Sequence, residues 1–338
     1  MKTILVTGGA GFIGSNFVRY ILRHNSHCSV VVLDKLTYAG NMDNLTDVHK
    51  EPNFHFVKGD ICDGSVVDEV VSESNVIVNF AAETHVDKSI QNSPVFVKTN
   101  VYGTNVLLQS ALNHSVEKFI HISTDEVYGS REAGSFTEAD ALNPTNPYSA
   151  SKAAADLLAL SFHKTYGAPI TITRSSNVFG PYQYPEKFIP LFVTNALDDK
   201  RLPLYGDGLN VRDWLYVEDL CEAISSIMHC GGIGEIYNIG AAHERRNVEI
   251  AYDVVDLLKK DRDLITFIPD RPAHDKRYSL NCSKIHALDW QPRHTFREAL
   301  KKTITWYIDN VWWWRAIREK QKSFREYYEQ QYPSLLSR

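Results

Sequence analysis

The first half of the chain alternates between short apolar runs and longer amphipathic stretches. The apolar runs are nearly continuous and cover residues 3–9, 30–34, 54–60, 76–83, 118–124 and 170–176. Such runs are typical of strands in a parallel sheet that is covered on both faces. Helical stretches lie between most of them, for example 14–24, 95–113 and 148–166. The pattern predicts an α/β fold with a doubly wound parallel sheet.

The pattern changes near residue 180. The segment "GPYQYPEKFIP" contains three prolines and a glycine, and mixed segments with glycine-rich turns follow it. We therefore expect a first domain over residues 1–180. Residues 181–338 are expected to form mainly a smaller mixed α/β lobe, with some later segments returning strands to the first sheet.

Composition narrows the class of protein. The 338 residues are 43% hydrophobic with a formal net charge of −5, which predicts a soluble globular chain and argues against nucleic-acid binding. No apolar run approaches the ~18 residues of a membrane span, and "MKTILVTGG" reads as a strand, not a signal peptide. The five cysteines form no C-x-x-C or C-x-x-H pair, so we expect no metal and a cytoplasmic location.

A glycine-rich turn follows the first predicted strand and opens a helix. The stretch "VTGGAGFIGSN" has the spacing G-x-x-G-x-x-G, at Gly8, Gly11 and Gly14. Glycines there let backbone N–H groups approach a pyrophosphate at the helix N-terminus, as in Rossmann domains. Asp34 ends the next strand, where a carboxylate binds ribose hydroxyls and repels a 2′-phosphate. The pattern favours NAD over NADP despite the neighbouring Lys35, and Asp60 is placed to reach the adenine.

A second candidate site combines a helix with a strand end. Tyr148 and Lys152 are four residues apart on the predicted helix 148–166, so they share a face. A lysine ammonium and a positively charged nicotinamide would favour the phenolate of Tyr148, which is then a base for a sugar hydroxyl. The predicted strand 118–124 leads into Asp125 and Glu126. Hydride transfer alone does not require two carboxylates, whereas removal of water requires one acid and one base.

These motifs resemble those of the extended short-chain dehydrogenase/reductase superfamily, and most closely the nucleoside-diphosphate-glucose 4,6-dehydratases. The resemblance runs from residue 1 to about 310. It rests on "VTGGAGFIGSNFV", "LDKLTYAGN", "GDICD", "NFAAETHVDKSI", "HISTDEVYG", "NPYSASKA", "GPYQYPEKFIP", "LPLYGDGLNVRDWLYVED", "EIYNIG", "DRPAHDKRYSL" and "WYIDN". It implies an NAD-dependent hydro-lyase of deoxysugar (rhamnose-type) biosynthesis, with a substrate-binding C-terminal lobe.

The resemblance also implies a role for each catalytic residue. Tyr148, with Lys152, is expected to deprotonate the glucose 4-hydroxyl while NAD accepts the C4 hydride, and Thr124 to hold the 4-oxygen. Glu126 is expected to remove the C5 proton and later return it. Asp125 is expected to protonate the departing 6-hydroxyl, after which the hydride returns to C6. The product is a 4-keto-6-deoxy sugar nucleotide.

Further binding residues are carried over from the family. Those expected at the cofactor are Gly8, Gly11, Phe12, Ile13, Gly14, Asp34, Lys35, Thr37, Asp60, Ile61, Ala81, Ala82, Thr99, Tyr148 and Lys152. Those expected at the substrate are Thr84, Thr124, Asn177, Glu186, Lys187, Arg212, Asn247, Arg271, His274 and Tyr278.

Alternatives remain open at this point. Where many bacterial members read C-S-N-N-Y-G-P-Y, this chain reads "SSNVFGPY", with Ser175 and Val178. The expected substrate is dTDP-glucose, and the departure keeps UDP-glucose as the alternative. A sugar-nucleotide 4-epimerase or decarboxylase shares Tyr148 and Lys152 but usually lacks the acid pair. A non-catalytic NAD sensor would have lost some of these catalytic residues, and this chain retains all of them.

Two expectations concern surfaces. Relatives are homodimers that pair helices, which in this chain correspond to 95–113 and 148–166, and the alanine-rich "SASKAAADLLALS" permits close contact. The C-terminal stretch is rich in aromatic residues. We expect its tryptophans to dock on the body of the protein, namely Trp306, Trp312, Trp313 and Trp314.

Overall fold

The main sheet positions the elements that carry the predicted motifs. In the computed structural model, which describes residues 2–25, 27–270 and 275–333, seven parallel strands pair in the order β10-β6-β5-β4-β1-β2-β3. Their bounds are β1 Lys2–Thr7, β2 Cys28–Asp34, β3 Phe54–Lys58, β4 Val76–Asn79, β5 Lys118–Thr124, β6 Ile170–Ser175 and β10 Ile236–Ile239. The predicted doubly wound parallel sheet is confirmed, and the strand order reverses between β1 and β4.

Helices cover both faces of this sheet, which explains the continuous apolar strands. Their bounds are α1 Phe12–His24, α2 Gly64–Ser72, α3 Val86–Gln91, α4 Ser93–Phe96, α5 Thr104–Asn113, α6 Pro147–Tyr166, α7 Phe188–Leu197, α8 Val217–Cys230, α9 Asn247–Leu257, α10 Ser283–His286, α11 Phe296–Asp309, α12 Val311–Lys320 and α13 Lys322–Gln331. The stretch predicted as one helix over 95–113 instead contains α4, a π-helical segment Val97–Gly103 and α5.

The second half of the chain adds two small sheets. Their strands are β7 Asn177–Phe179, β8 Leu202–Tyr205, β9 Val211–Tyr216, β11 Glu244–Arg246 and β12 Ile265–Ile268. Strands β7 and β11 flank β9, while β8 pairs with β12. Strand β10 lies instead at the edge of the main sheet, beside β6. Residues beyond 180 therefore contribute both to the main sheet and to the smaller ones.

The C-terminal helices dock on the body through some of their tryptophans. Trp313 and Trp314 are each 1% exposed, and the Trp313 indole N–H donates to Asn44 Oδ1 over 2.8 Å. Trp306 is partly buried against the same core. Trp312, however, is 55% exposed, so the prediction was wrong for this residue. It lies on the outer face of α12, whose inner face is formed by Trp313, Trp314, Ile317 and Arg318.

None of the helices in the described part of the chain combines the length and apolar character needed to cross a membrane.

Candidate active site

The glycine-rich turn between β1 and α1 closes tightly. Gly8 has a φ of +68°, and a side chain there would come within 2.7 Å of the Ala81 backbone. A side chain at Gly14 would come within 2.3 Å of the Gly8 carbonyl oxygen. Only glycine is compatible with this packing. The first turn of α1 therefore opens directly into a cleft at the carboxyl edge of the sheet, as anion binding requires.

Asp34 ends β2 beside this turn. Its carboxylate accepts hydrogen bonds from the Ala10 N–H, over 2.9 Å, and from the Leu36 N–H, over 2.8 Å. Burial raises the pKa of Asp34, and the two backbone hydrogen bonds oppose that shift. The carboxylate thus anchors the glycine turn and lines the cleft at the position predicted for ribose recognition.

Lys35 is paired with an acid at this end of the cleft. Its ammonium group donates to Asp60 Oδ2 over 2.7 Å, and this hydrogen bond raises the pKa of Lys35. Burial alone would raise the pKa of Asp60, but the hydrogen bond from Lys35 helps to lower it below its ordinary value. Because the pair neutralises the lysine, the Asp34 carboxylate gives the ribose position a negative charge.

All of the residues predicted at the cofactor line this one cleft. They are Gly8, Gly11, Phe12, Ile13, Gly14, Asp34, Lys35, Thr37, Asp60, Ile61, Ala81, Ala82, Thr99, Tyr148 and Lys152. They come from the ends of β1, β2, β3 and β4, from α1 and α6, and from the π-helical segment, which the sheet order brings together.

The two carboxylates lie on a short 3-10 turn, Asp125–Tyr128, that directly follows β5. Thr124 caps the turn, since its hydroxyl accepts from the Glu126 N–H over 3.3 Å and donates to Asp125 Oδ1 over 3.2 Å. Asp125 is 3% exposed, whereas Glu126 is half-buried. Both line the cleft.

Asp125 is more deeply buried than Glu126, and unequal burial separates the pKa values of two neighbouring carboxyl groups. Burial raises the pKa of Asp125 well above its ordinary value, the charge of Glu126 adds to the shift, and Arg212 opposes it. Asp125 Oδ2 has no hydrogen-bond partner among the residues described. A protonated Asp125 can therefore donate from Oδ2 toward the cleft.

Tyr148 and Lys152 project from the first turns of α6. Asn146 caps this helix by accepting from the Ser149 N–H over 2.9 Å, and Pro147 occupies its first position. The Lys152 ammonium donates to the Ile122 carbonyl oxygen over 2.7 Å. Both side chains are buried and line the cleft.

The surroundings of Tyr148 bear on the expectation that Lys152 and a positively charged nicotinamide together favour its phenolate. Burial raises the pKa of Tyr148 well above its ordinary value, and the charges of Glu126 and Asp125 raise it further, while a hydrogen bond with Thr124 opposes the shift. Burial also lowers the pKa of Lys152 to about 8. In this site the lysine alone does not produce a phenolate, so proton loss from Tyr148 depends on a further positive charge.

Besides Thr124, four of the predicted substrate residues line the same cleft. They are Thr84, Asn177, Glu186 and Lys187. The Lys187 ammonium donates to the Thr84 carbonyl oxygen over 3.1 Å, and Glu186 accepts from Lys88 over 2.9 Å. Burial lowers the pKa of Lys187.

Other predicted substrate residues lie in the second half of the chain. The Arg212 guanidinium stacks on the Tyr278 ring at 4.3 Å, and both bond to Asp275, the arginine at its carbonyl and the tyrosine hydroxyl at its carboxylate. Arg212 acts electrostatically on Asp125, so this group faces the acid pair. Asn247 begins α9, with Oδ1 buried. Arg271 and His274 lie outside the described residues.

Several residues that line the cleft were not predicted from the sequence. Tyr38 and Tyr184 stand in segments that carry the family resemblance, yet nothing in their spacing marks them. The Lys88 ammonium lies 3.5 Å from the centroid of the Tyr38 ring and bridges it to Glu186. Pairwise contacts of this kind join distant segments, so residue spacing carries no signal of them.

The comparisons with known proteins agree with this site. The model of the GDP-mannose 4,6 dehydratase family matches residues 5–303. The chain belongs to this family. It is similar to a dTDP-glucose 4,6-dehydratase of Streptomyces niveus, with 49% identity over 325 residues that cover 95% of this chain and 97% of that protein.

Two further similarities bear on the substrate. DesIV, a dTDP-glucose 4,6-dehydratase of Streptomyces venezuelae crystallised with NAD and TYD, has a TM-score of 0.91 and 48% identity, over 93% of this chain and 99% of that one. A trifunctional UDP-glucose 4,6-dehydratase, 3,5-epimerase and reductase of Arabidopsis thaliana is 45% identical over 94% of this chain and 48% of that protein.

We predict that Asp125→Asn stabilises the folded protein at neutral pH. The folded-state pKa of Asp125 is raised, so ionising this carboxyl group destabilises the folded protein. The destabilisation begins above the unfolded pKa of ~3.9, grows as the pH rises, and stops growing above the folded pKa. The variant lacks this charge, so its gain in melting temperature over wild type should be small near pH ~4 and increase as the pH rises.

Asp140→Asn is the control with the opposite sign. Hydrogen bonds from Thr137 and Arg131 lower the pKa of Asp140 to about 2. Its stabilisation is complete above pH ~4, so this variant should show a constant loss across the neutral range. A melting-temperature difference for Asp125→Asn that does not change with pH would contradict the assignment.

Proposed function

We propose that this protein is an NAD-dependent 4,6-dehydratase that converts dTDP-glucose to dTDP-4-keto-6-deoxyglucose and water. The observation that carries the proposal is the pair at the end of β5, where buried Asp125 and half-buried Glu126 face the same cleft as Tyr148 and Lys152. A redox site alone would serve an epimerase. The added acid–base pair is what elimination of water requires.

The cofactor would lie along the carboxyl edge of the sheet. Backbone N–H groups of the glycine turn would bind its pyrophosphate, and Asp34 its adenosine ribose. Because Lys35 is paired with Asp60, the charge at the ribose position is negative, which favours NAD over NADP. When bound, NAD supplies the acceptor for the C4 hydride and later returns that hydride to C6.

The protein's own groups would move the protons. Tyr148 takes the proton of the 4-hydroxyl, and the Thr124 hydroxyl holds the 4-oxygen. The 4-ketone makes the C5 proton acidic, and Glu126 removes it. Asp125, whose pKa is raised by burial, gives its proton to the departing 6-hydroxyl, so that water leaves. Glu126 then returns its proton to C5 as C6 is reduced.

The second lobe would hold the nucleotide. We infer that residues 1–180 form the cofactor domain and that residues 181–338 mainly bind the sugar nucleotide. Arg212 is buried and supported by Tyr278 and Asp275, which suits an arginine that binds a diphosphate by paired hydrogen bonds. Asn247, Arg271 and His274 are proposed for the same end of the substrate.

UDP-glucose is the second candidate substrate. Val178 lines the cleft where many bacterial members have an asparagine, and the Arabidopsis relative has a uridine substrate in its name. The named dTDP-glucose enzymes, however, match over nearly their full lengths. We therefore propose dTDP-glucose as the preferred substrate.

The first test uses substrate that carries deuterium at C4. Purified protein is incubated separately with labelled dTDP-glucose and UDP-glucose, and the products are analysed by mass spectrometry and NMR. We expect the loss of one water and the label at C6, mainly with dTDP-glucose. A C4-inverted product that keeps all its oxygens would instead establish an epimerase.

A second test separates oxidation from elimination. In the double variant Asp125→Asn, Glu126→Gln, Tyr148 and Lys152 are intact, so NAD should bind and some C4 oxidation should continue. Elimination should fall by about 100-fold or more, since it loses both its acid and its base. The readouts are absorbance at the NADH wavelength and water loss.

The charge-matched control for the acid pair is Glu69→Gln with Glu73→Gln, at exposed positions near the end of α2. This control should oxidise and eliminate at the wild-type rates, because neither glutamate lines the cleft. Normal water loss by the Asp125→Asn, Glu126→Gln variant would refute the proposed roles of the acid pair.

We also propose a homodimer that pairs helices near 95–113 and 148–166. These elements pack together within one chain, and both expose large apolar side chains. Val97 is 54% exposed, Tyr102 53% and Leu157 58%. A second copy would cover them.

Sedimentation velocity tests this dimer. Tyr102→Lys with Leu157→Lys should convert it to a monomer, because the new charges would be buried without partners. Phe267→Lys, which alters an equally exposed side chain on β12, should leave the dimer intact. A wild-type protein that sediments as a monomer at micromolar concentration would end the proposal.

A further inference from the structure

A chain of buried polar side chains crosses the sheet directly beneath the acid pair and the Tyr148–Lys152 face. At its centre is Asp156, which lies on α6 one turn beyond Lys152 and is 0% exposed. Arg174 on β6 is 2% exposed and His121 on β5 is 0% exposed. Burying ionisable groups is costly unless they are paired, so this arrangement calls for a reason beyond packing.

One branch runs from Asp156 to the acid pair. Asp156 Oδ2 accepts from Arg174 Nε over 2.9 Å, and Arg174 Nη1 donates to the Tyr128 hydroxyl over 2.8 Å. The Tyr128 hydroxyl in turn donates to Asn238 Oδ1 over 2.8 Å. Tyr128 is the last residue of the 3-10 turn that begins with Asp125. The far end of the catalytic turn is therefore tied to Asp156 through a single guanidinium group.

The other branch runs from Asp156 to Lys152. Burial lowers the pKa of Lys152, and the negative charge of Asp156 opposes that shift. The Ile122 carbonyl accepts from the same ammonium but carries no net charge. Asp156 lies one helical turn from Lys152 on the same side of α6, and its negative charge favours the charged form of the lysine.

The other groups around Asp156 do not replace it in this role. His121 Nε2 lies 3.5 Å from Asp156 Oδ1, but burial and the charges of Lys152 and Arg174 lower the pKa of His121, so the ring is neutral. Burial raises the pKa of Asp156, whereas the positive charges of Arg174 and Lys152 oppose that shift. These groups come from β5, β6 and α6, the elements that pack against the carboxylate.

The charges in this cluster leave one positive charge in excess. Lys152 and Arg174 contribute two positive charges and Asp156 one negative charge. A phenolate at Tyr148 would bring the sum to zero. The cluster is therefore suited to the state that the proposed reaction passes through, in which the tyrosine proton has been lost.

We propose that Asp156 is a positioning residue for both halves of the reaction, because it lies one turn from Lys152 on the same side of α6 and, through Arg174 and Tyr128, holds the Asp125–Glu126 turn. This proposal rests on the dehydratase function proposed above. The proposed role predicts that loss of the Asp156 charge shifts the pH profile of the reaction. A buried ion pair that served packing alone would alter stability and leave the pH profile of the reaction unchanged.

The first variant is Asp156→Asn, studied with NAD and dTDP-glucose under single-turnover conditions. Without the carboxylate, the Lys152 ammonium loses its proton at lower pH, so the rate should decline earlier as the pH rises. The charge of Asp156 also raises the pKa of Tyr148, so its loss should move the rising limb to lower pH as well. We expect both limbs of the C4-oxidation profile to move down by about one pH unit or more, a tenfold change in protonation equilibrium per unit.

Asp156→Asn leaves Arg174 buried without its carboxylate, which lowers stability, so a second variant removes both charges. Asp156→Asn with Arg174→Met should restore the folded yield. If Asp156 acts on Lys152, the falling limb of this double variant stays at lower pH than in wild type. If the ion pair serves packing alone, the double variant has the wild-type profile, and the proposal is overturned.

Asp219→Asn controls for the loss of a buried charge elsewhere in the protein. Asp219 is a buried carboxylate on α8 that bonds to His294 over 2.8 Å. Its loss should lower the melting temperature and leave both limbs of the pH profile at their wild-type positions. A shift as large as that of Asp156→Asn would show that any buried carboxylate has this effect, and the proposal would fail.

Tyr128→Phe tests the second branch alone. It removes the hydroxyl that joins Arg174 to the catalytic turn and keeps the ring, which stacks on Phe136 at 5.0 Å between centroids. C4 oxidation should keep its rate, while elimination should slow by about tenfold, so that NADH accumulates. Tyr166→Phe, on the exposed end of α6, is the control. Unchanged elimination in Tyr128→Phe would overturn this half.

Measurements on the wild-type protein distinguish a failure of the proposed dehydratase function from a failure of the role proposed for Asp156. If wild type releases no water from dTDP-glucose, the proposed function fails. If wild type is active and the Asp156 variants keep its pH profile, only the role of Asp156 fails.

Discussion

The carboxyl ends of the parallel strands meet at one edge of the main sheet, and the candidate site depends on that constraint. Strand β1 delivers the glycine turn, β2 delivers Asp34 and β5 delivers Thr124 with the two carboxylates. The order of strands reverses between β1 and β4, which leaves room for a ligand at that point. A cofactor and a sugar can therefore meet where no single stretch of sequence contains both binding sites.

Burial then gives similar groups different chemistry. Asp125 and Glu126 are adjacent in sequence, but the first is enclosed and the second lies nearer the open cleft. Enclosure raises the pKa of Asp125 and of Tyr148 and lowers the pKa of Lys152. Each of these shifts favours the neutral form of the group. A positive charge near Tyr148 would oppose this shift and lower the pKa of its hydroxyl.

The C-terminal helices complete the cleft from outside. Tyr327 on α13 donates to Asp87 over 3.2 Å, and its ring packs edge-on against His85 at 4.9 Å between centroids. The same segment of α3 supplies Lys88, which pairs with Glu186 in the cleft wall. Residues of α13 thus support residues that line the cleft. Other aromatic side chains in or next to these helices contact later parts of the chain, since the Tyr328 hydroxyl lies 3.2 Å from Asn195 Nδ2 and the Tyr332 ring lies 6.4 Å from the Tyr205 ring.

The sequence by itself determined the fold class and the chemical type of the site. Continuous apolar runs require a covered parallel sheet, and the glycine spacing, Asp34, the Tyr148–Lys152 pair and the Asp125–Glu126 pair are local patterns. Local patterns can be recognised in a sequence because the repeat of a helix or a strand fixes which nearby residues share a face. The π-helical segment Val97–Gly103 inside the predicted 95–113 helix could not be recognised from the sequence, and it lies against α6.

Only the tertiary structure determined which charged groups lie next to one another and which are enclosed. The ion pair of Lys35 with Asp60, the enclosure of Asp125 and the link from Asp156 through Arg174 to Tyr128 all join residues from different elements. Their energies depend on distance and on exclusion of water, which residue spacing does not contain. The sequence therefore showed which groups this protein has for chemistry, and the folded structure shifted the pKa values of Asp125, Tyr148 and Lys152.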